Sequence, residues 1–139
     1  MIKGVKITPL KVLADERGSV KHMLKSTDSY FKKFGEVYFS EVLPGNVKAW
    51  HKSKKATRNY AVVEGNIKLA IYDGKEMQEI YIGDKNYCLV TIPPNVWSGF
   101  MPIGGKKAIV CDFMDMPFNL KDMEKADPDS FADCWKKDA

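Results

Sequence analysis

The sequence predicts an all-β chain, built as an antiparallel sandwich or barrel. Strand-like runs recur about every 8–12 residues. Turn signals separate them, among them Pro44-Gly45-Asn46, Glu64-Gly65-Asn66, Asp73-Gly74 and Gly83-Asp84. One run, Ile67 to Tyr72, sets Ile67, Leu69 and Ile71 on one face and Lys68, Ala70 and Tyr72 on the other. That period of two marks a half-buried strand.

In chain order, Pro9 and the turn from Asp15 to Gly18 divide two short extended pieces, 5–13 and 19–24. Residues 26–34 are polar and aromatic and suit a short helix or a loop. Strands are expected at 36–42 and 47–51, then a charged loop at 52–56. Further strands are expected at 58–63, 67–72, 76–82, 88–92, 96–101 and 107–116. Pro93-Pro94 stops the strand at 88–92. From Asn119 to Trp135 the pattern is partly helical, with Pro128 interrupting it.

The 139 residues suit one domain, 1–139, and 45% hydrophobic content supplies one ordinary core. A net charge of +4 permits an anionic partner without demanding nucleic acid. No apolar run reaches membrane-spanning length, and MIKGVKITPL lacks a signal peptide's apolar core. Cytoplasmic residence is the expectation. Cys88, Cys111 and Cys134 read as reduced thiols, since their spacing excludes a CxxC site.

Two stretches carry chemistry. Gly45 to Gly65 reads GNVKAWHKSKKATRNYAVVEG, and Gly83 to Phe100 reads GDKNYCLVTIPPNVWSGF. Their layout resembles the paired motifs of the cupins, which implies a double-stranded β-helix, or jelly-roll barrel, with a short partly helical C-terminal segment. Metal-binding cupins place His-x-His and Glu in the first motif and His in the second. Here those positions hold His51, Ser53, Thr57 or Arg58, and Ser98. One ligand of four remains, so no metal is expected, and no other cofactor.

Four pieces narrow the resemblance to sugar-nucleotide cupins: Asp15-Glu16-Arg17-Gly18, Lys48-Ala49-Trp50-His51, Arg58 to Gly65, and Ile92 to Phe100 (IPPNVWSGF). They resemble the dTDP-4-dehydrorhamnose 3,5-epimerases, with the shorter dTDP-4-keto-6-deoxyglucose 3,4-ketoisomerases beside them. The resemblance spans roughly residues 5 to 116. It implies a metal-independent isomerase of deoxysugar and surface polysaccharide biosynthesis, acting on a nucleotide-linked 4-keto-6-deoxysugar. It also implies a homodimer that shares strands between subunits; the modest charge, with no matching motif, and the lack of a spanning run leave neither a nucleic-acid nor a membrane partner expected.

Position by position, the resemblance makes His51 the base, Lys48 a phosphate contact, Arg58 the stabiliser of the enolate and Arg17 a substrate-region residue. Ser98 stands where the family has His. Cys111 stands where the epimerases place a proton-returning Tyr, and Ser53 replaces the second His of the ketoisomerases. All three count as substrate-region positions.

The chemistry agrees with the residue types. Removing a proton beside a ketone needs a base near neutral pKa and a cation or donor at the carbonyl oxygen. His is suited to the first task. Tyr60 shares a strand face with Arg58 and is either core or the proton donor. Trp97 is either packing or a platform for a base or sugar ring. The cations Lys48, Lys52, Lys54, Lys55 and Arg58 form either a solvated loop or a diphosphate rim. Asp115, Asp127 and Asp129 are candidates to orient the imidazole, and His22 has no motif around it. A competing expectation is a non-catalytic cupin that binds a sugar nucleotide or another small anion.

Overall fold

The computed structural model describes residues 1–136; residues 137–139, which the single-domain expectation includes, lie outside the described residues. Twelve strands follow in order: β1 (Lys6–Pro9), β2 (Val12–Asp15), β3 (Gly18–Lys21), β4 (Glu36–Val42), β5 (Lys48–Ser53), β6 (Arg58–Glu64), β7 (Asn66–Tyr72), β8 (Met77–Gly83), β9 (Cys88–Ile92), β10 (Trp97–Pro102), β11 (Ala108–Met114) and β12 (Met123–Lys125). A 3-10 turn, Leu120–Asp122, precedes β12.

Two five-stranded antiparallel sheets form the barrel. One has the order β1-β9-β6-β11-β4 and the other β12-β5-β10-β7-β8. Strands β2 and β3 form a separate ribbon. This is the predicted all-β jelly-roll architecture. No helix among the described residues is long and apolar enough to cross a membrane.

The core lies between the sheets. Ile67, Leu69 and Ile71 of β7 face Tyr60 and Val62 of β6, Val90 and Ile92 of β9, and Val110 of β11. The predicted phase of β7 is therefore the observed one. Its other face departs from expectation: Lys68 and Ala70 are buried as well. The reason is the C-terminal segment, which lies across the outer surface of the second sheet. Phe131 and Trp135 pack there against Trp50, Tyr72 and Trp97. Lys68 donates to the Cys134 carbonyl and pairs with Glu79 at 3.4 Å.

The predicted helical character of 119–135 contracts to the one 3-10 turn, capped by the Asn119 side chain, which accepts from the Lys121 N–H. Beyond it the chain extends as β12. The indole N–H groups of Trp50 and Trp135 both donate to the Pro128 carbonyl at 3.0 Å. One acceptor thus fixes the tail to the strand that carries His51.

Two glycines are required by geometry. Gly65 turns the β6–β7 hairpin at φ +80°, where a Cβ would also meet the Lys107 carbonyl oxygen at 2.4 Å. Gly99 lets β10 approach β5, since its Cβ would stand 2.4 Å from that of Ala49. After Pro93-Pro94, Asn95 takes the left-handed turn position at φ 66°, a conformation Asn tolerates better than most residues. Its N–H donates to the Ser53 carbonyl at 2.7 Å, which ties this turn to the end of β5.

Candidate active site

A cavity of about 110 Å³ opens at one end of the barrel, between the two sheets. Strand β5 brings Lys48 and His51 to it, β6 brings Arg58 and Tyr60, and β10 brings Phe100. Tyr38 and Ser40 come from β4, Asp112 from β11, and Met123 and Lys125 from β12. Phe118 forms part of the wall, its N–H bonded to the Glu36 carboxylate at 2.7 Å.

Arg58 lies at the bottom of this group. Its Nη1 meets Asp112 Oδ2 at 2.6 Å and the Tyr38 hydroxyl at 3.1 Å, and its Nε donates to Ser53 Oγ at 3.0 Å. Both charges are buried, with side-chain exposures of 7% and 3%. A contact this short is that of a charge-assisted pair. Burial opposes the Arg58 charge, but Tyr60, Asp112 and Tyr38 outweigh it and raise its pKa. Burial pushes the Asp112 carboxyl up, and Arg58 and Tyr38 pull it partly back.

Tyr60 is fully enclosed and stacks edge-on against Phe100, with centroids 6.1 Å apart. Burial raises its phenol, the Asp112 charge adds to the rise, and Arg58 and Ser98 partly offset it. Tyr60 and Asp112 are register partners across β6 and β11, so they share the inner face.

His51 sits in the middle of a three-strand row. It is paired in register with Ser98 of β10 on one side and Lys125 of β12 on the other. Burial lowers its pKa, and Arg58, Lys125 and Lys48 lower it further. The imidazole is therefore neutral near pH 7, the state a base requires. Among the described residues no carboxylate holds its ring. Of the candidates to do so, Asp115 instead accepts from the Thr57 N–H at 2.9 Å. Asp127 and Asp129 are exposed in the tail.

The structure thus brings together Lys48, His51, Arg58 and Tyr60 in one cavity, with Ser53 bonded to Arg58 and Ser98 paired in register with His51. It places three other expected residues elsewhere. Cys111 points to the outer face of its strand, because neighbouring residues of a strand alternate and Asp112 faces inward. Burial and the Asp112 charge raise the Cys111 thiol to about 11. Trp97 lies on the outer face of the second sheet, against Phe131 at 5.1 Å, with Lys52 4.8 Å above its ring. Arg17 stands at the tip of the β2–β3 ribbon, paired with Asp15 at 2.8 Å and largely exposed.

The cation run from Lys48 to Arg58 is divided in the same way. Lys48 enters the cavity and Arg58 its floor. Lys52 pairs with Glu124 at 3.0 Å on the opposite face. Lys54 and Lys55 are exposed, and their backbone N–H groups bond to Asp122, through its carbonyl at 2.8 Å and its carboxylate at 2.9 Å. Among the described residues, no group of three His, Cys, Asp or Glu side chains is placed to hold a metal ion.

Sequence reasoning missed Asp112, Tyr38 and Lys125. Asp112 had a signal, a carboxylate inside the apolar strand Ile109–Met114. Tyr38 and Lys125 had none, since only sheet pairing brings Tyr38 beside Asp112 and Lys125 beside His51.

The family model described as FdtA, WxcM-like, C-terminal matches residues 3–135. A "probable low-salt glycan biosynthesis epimerase" of the archaeon Haloferax volcanii is 31% identical, over 92% of this chain and 85% of its own. The spore coat polysaccharide biosynthesis protein SpsL of Bacillus subtilis is 27% identical, over 86% of this chain and 83% of its own. Among solved structures, a dTDP sugar isomerase from Desulfovibrio desulfuricans superposes with a TM-score of 0.89 at 36% identity, over 93% of this chain and 87% of the other. The sugar 3,4-ketoisomerase QdtA of Thermoanaerobacterium thermosaccharolyticum, solved with TDP, has a TM-score of 0.78 at 18% identity, over 91% and 90%. At that identity the likeness is one of fold.

Proposed function

The chain belongs to the WxcM-like, C-terminal family described by FdtA, and on that premise we propose that it is an isomerase of a nucleotide-linked, dTDP-type 4-keto-6-deoxysugar. In this reading it is an epimerase or a 3,4-ketoisomerase, needs no metal, and serves deoxysugar and surface polysaccharide biosynthesis. The observation that carries the reading is the sharing of one cavity by His51, Arg58 and Tyr60.

The steps follow from the residues. His51 removes a proton from the carbon beside the ketone. The C–H electron pair becomes the enolate π bond, and negative charge moves to the carbonyl oxygen. Arg58 supports that charge from a fixed position, held by Asp112 and Ser53 before substrate arrives. The enolate then regains a proton. Return to the same carbon from the opposite face, with Tyr60 as donor, inverts that centre. Alternatively, the ketone oxygen and the neighbouring hydroxyl exchange roles through an enediol, and the carbonyl moves by one carbon. A positioned base contributes about 10²- to 10⁴-fold, and a preorganised donor about 10²- to 10³-fold.

The proposal includes a homodimer. Leu13 and Val20 of the β2–β3 ribbon are 52% and 60% exposed, as are Val37 and Phe39 of the edge strand β4 at 44% and 68%. A lone two-stranded ribbon is marginal by itself. If it lies on a second copy, its apolar side chains are covered and Arg17 is carried away from its own subunit toward the neighbour. Light scattering of the wild type and of Leu13→Asp checks this: dimer and monomer respectively are expected, and a monomeric wild type counts against it.

The test of the chemistry is proton NMR of dTDP-4-keto-6-deoxyglucose with the protein in D₂O, with His51→Ala alongside. His51-dependent loss of the C3 or C5 proton signal is expected; loss at C5 marks an epimerase, and a carbonyl moved from C4 to C3 marks a ketoisomerase. Ligand broadening without exchange would sink the enzymatic reading in favour of a binding module.

A further inference from the structure

The side chains given chemical steps above, His51, Arg58 and Tyr60, lie in one short stretch of the chain. The cavity has one more cation, and it comes from the far end of the chain. Lys125 is the register partner of His51 and lines the same cavity.

Its placement is fixed by backbone bonding. The Trp50 N–H donates to the Ala126 carbonyl at 2.8 Å, and the Ala126 N–H donates back to the Trp50 carbonyl at 3.1 Å. Alternation along β12 then sorts its charges. Glu124 turns to the outer side and pairs with Lys52, while Lys125 turns to the cavity.

The charges at the cavity are Lys48 from β5, Arg58 from β6, Lys125 from β12 and Asp112 from β11, around the neutral His51. The one carboxylate is committed to Arg58 at 2.6 Å. Lys48 donates to the neutral Ser40 hydroxyl at 2.9 Å. Neither Lys48 nor Lys125 has a carboxylate partner among the described residues. Two lysine charges are therefore left over at one mouth, where they repel each other and attract an anion. A nucleoside diphosphate sugar carries a dianion between its base and its reacting ring. That charge matches the excess.

We propose that Lys125 binds the diphosphate of the substrate, acting with Lys48 across the mouth of the His51 cavity. The inference rests on the nucleotide-sugar reading above, and it assigns substrate recognition to the C-terminal segment as well as to β5.

The test is calorimetric binding of dTDP and of thymidine, which lacks phosphate, to the wild type, Lys125→Gln and Lys125→Arg. Lys125 is exposed at the surface, so neither variant should disturb folding. Losing one charge-assisted hydrogen bond should weaken dTDP binding about 10-fold in Lys125→Gln. Lys125→Arg should keep most of it, and thymidine binding should not change. In the deuterium-exchange reaction, Lys125→Gln should raise KM and leave kcat near the wild-type value.

Equal dTDP affinity in wild type and Lys125→Gln would overturn the proposal. So would a parallel loss of dTDP and thymidine binding, or no dTDP binding by the wild type. Exchange chemistry that survives with Lys125-independent binding defeats this inference alone. Lys125-dependent dTDP binding without exchange defeats the isomerase reading alone.

Discussion

Arg58 and Asp112 meet at 2.6 Å between β6 and β11, and both are almost wholly buried. Neither can be removed without stranding the other. Breaking such a pair from one side costs about 3–5 kcal/mol, because a buried charge is left uncompensated. Asp112→Ala should therefore lower stability in urea by about that amount. Arg58→Met with Asp112→Leu should recover much of it, while exchange activity stays lost. A destabilisation below about 1 kcal/mol in Asp112→Ala would mean that water or another side chain takes over the Arg58 charge.

His51 should give the protein an acid-sensitive phase. Its folded-state pKa is depressed, by burial first and then by Arg58, Lys125 and Lys48. The unfolded chain takes up this proton near pH 6.5, before the folded chain does. The contribution to stability is therefore complete above about pH 6.5, is lost as the pH falls toward the folded value, and levels off below it. Chemical denaturation across pH 4.5–7.5 should show this slope in the wild type and a flatter one in His51→Gln. On the same grounds, the acid limb of kcat/KM for proton exchange should lie below the ordinary histidine value.

Tyr60 and Cys111 offer a direct contrast. Tyr60 lies in the cavity, and Cys111 lies on the other face of β11. Tyr60→Phe should slow product formation about 10²-fold or more if the phenol returns the proton. Cys111→Ala should leave the rate close to that of the wild type. With its thiol raised to about 11 and buried, Cys111 should also resist iodoacetamide in the native protein at pH 7.5 and react after unfolding. Rapid native alkylation would mean that the outer face of β11 is open.

The Pro128 carbonyl accepts two indole donors, so the two should back each other up. Trp50→Phe or Trp135→Phe alone should cost about 1 kcal/mol, because one bond to the oxygen remains. The double variant should cost about 1–3 kcal/mol beyond the sum, since a part-buried acceptor is then left bare. Thermal or urea unfolding of the four proteins closes this cycle. Strict additivity would show that water readily replaces the indoles.

The fold was legible because its signals are local. The phase of Ile67, Leu69 and Ile71, the Gly65 hairpin and the Pro93-Pro94 stop can each be read within a few residues. Lys48, His51, Arg58 and Tyr60 fall in one stretch, so the centre of the site was legible too. Features made by distant pairing were hidden. Lys68 reads as a solvent-facing lysine until a tail some sixty residues later covers it. Cys111 and Asp112 differ by one position, and in a strand one position exchanges inside for outside. The β6–β11 pairing also shifts register between Ile109 and Val110, with the extra residue, Val63, on β6, and nothing in the sequence marks that shift.

Strand β12 has a consequence for the order in which the molecule comes into being. It pairs with β5, yet all of β6 to β11 is synthesised between them. Until β12 docks on β5, the barrel lacks the wall that bears Met123 and Lys125. A chain whose tail has not docked is open at the mouth, with Trp50 and Ala70 uncovered on the outside. The capacity to hold a charged ligand arrives in the same step that shields this apolar surface, so ligand competence and protection from aggregation are acquired together.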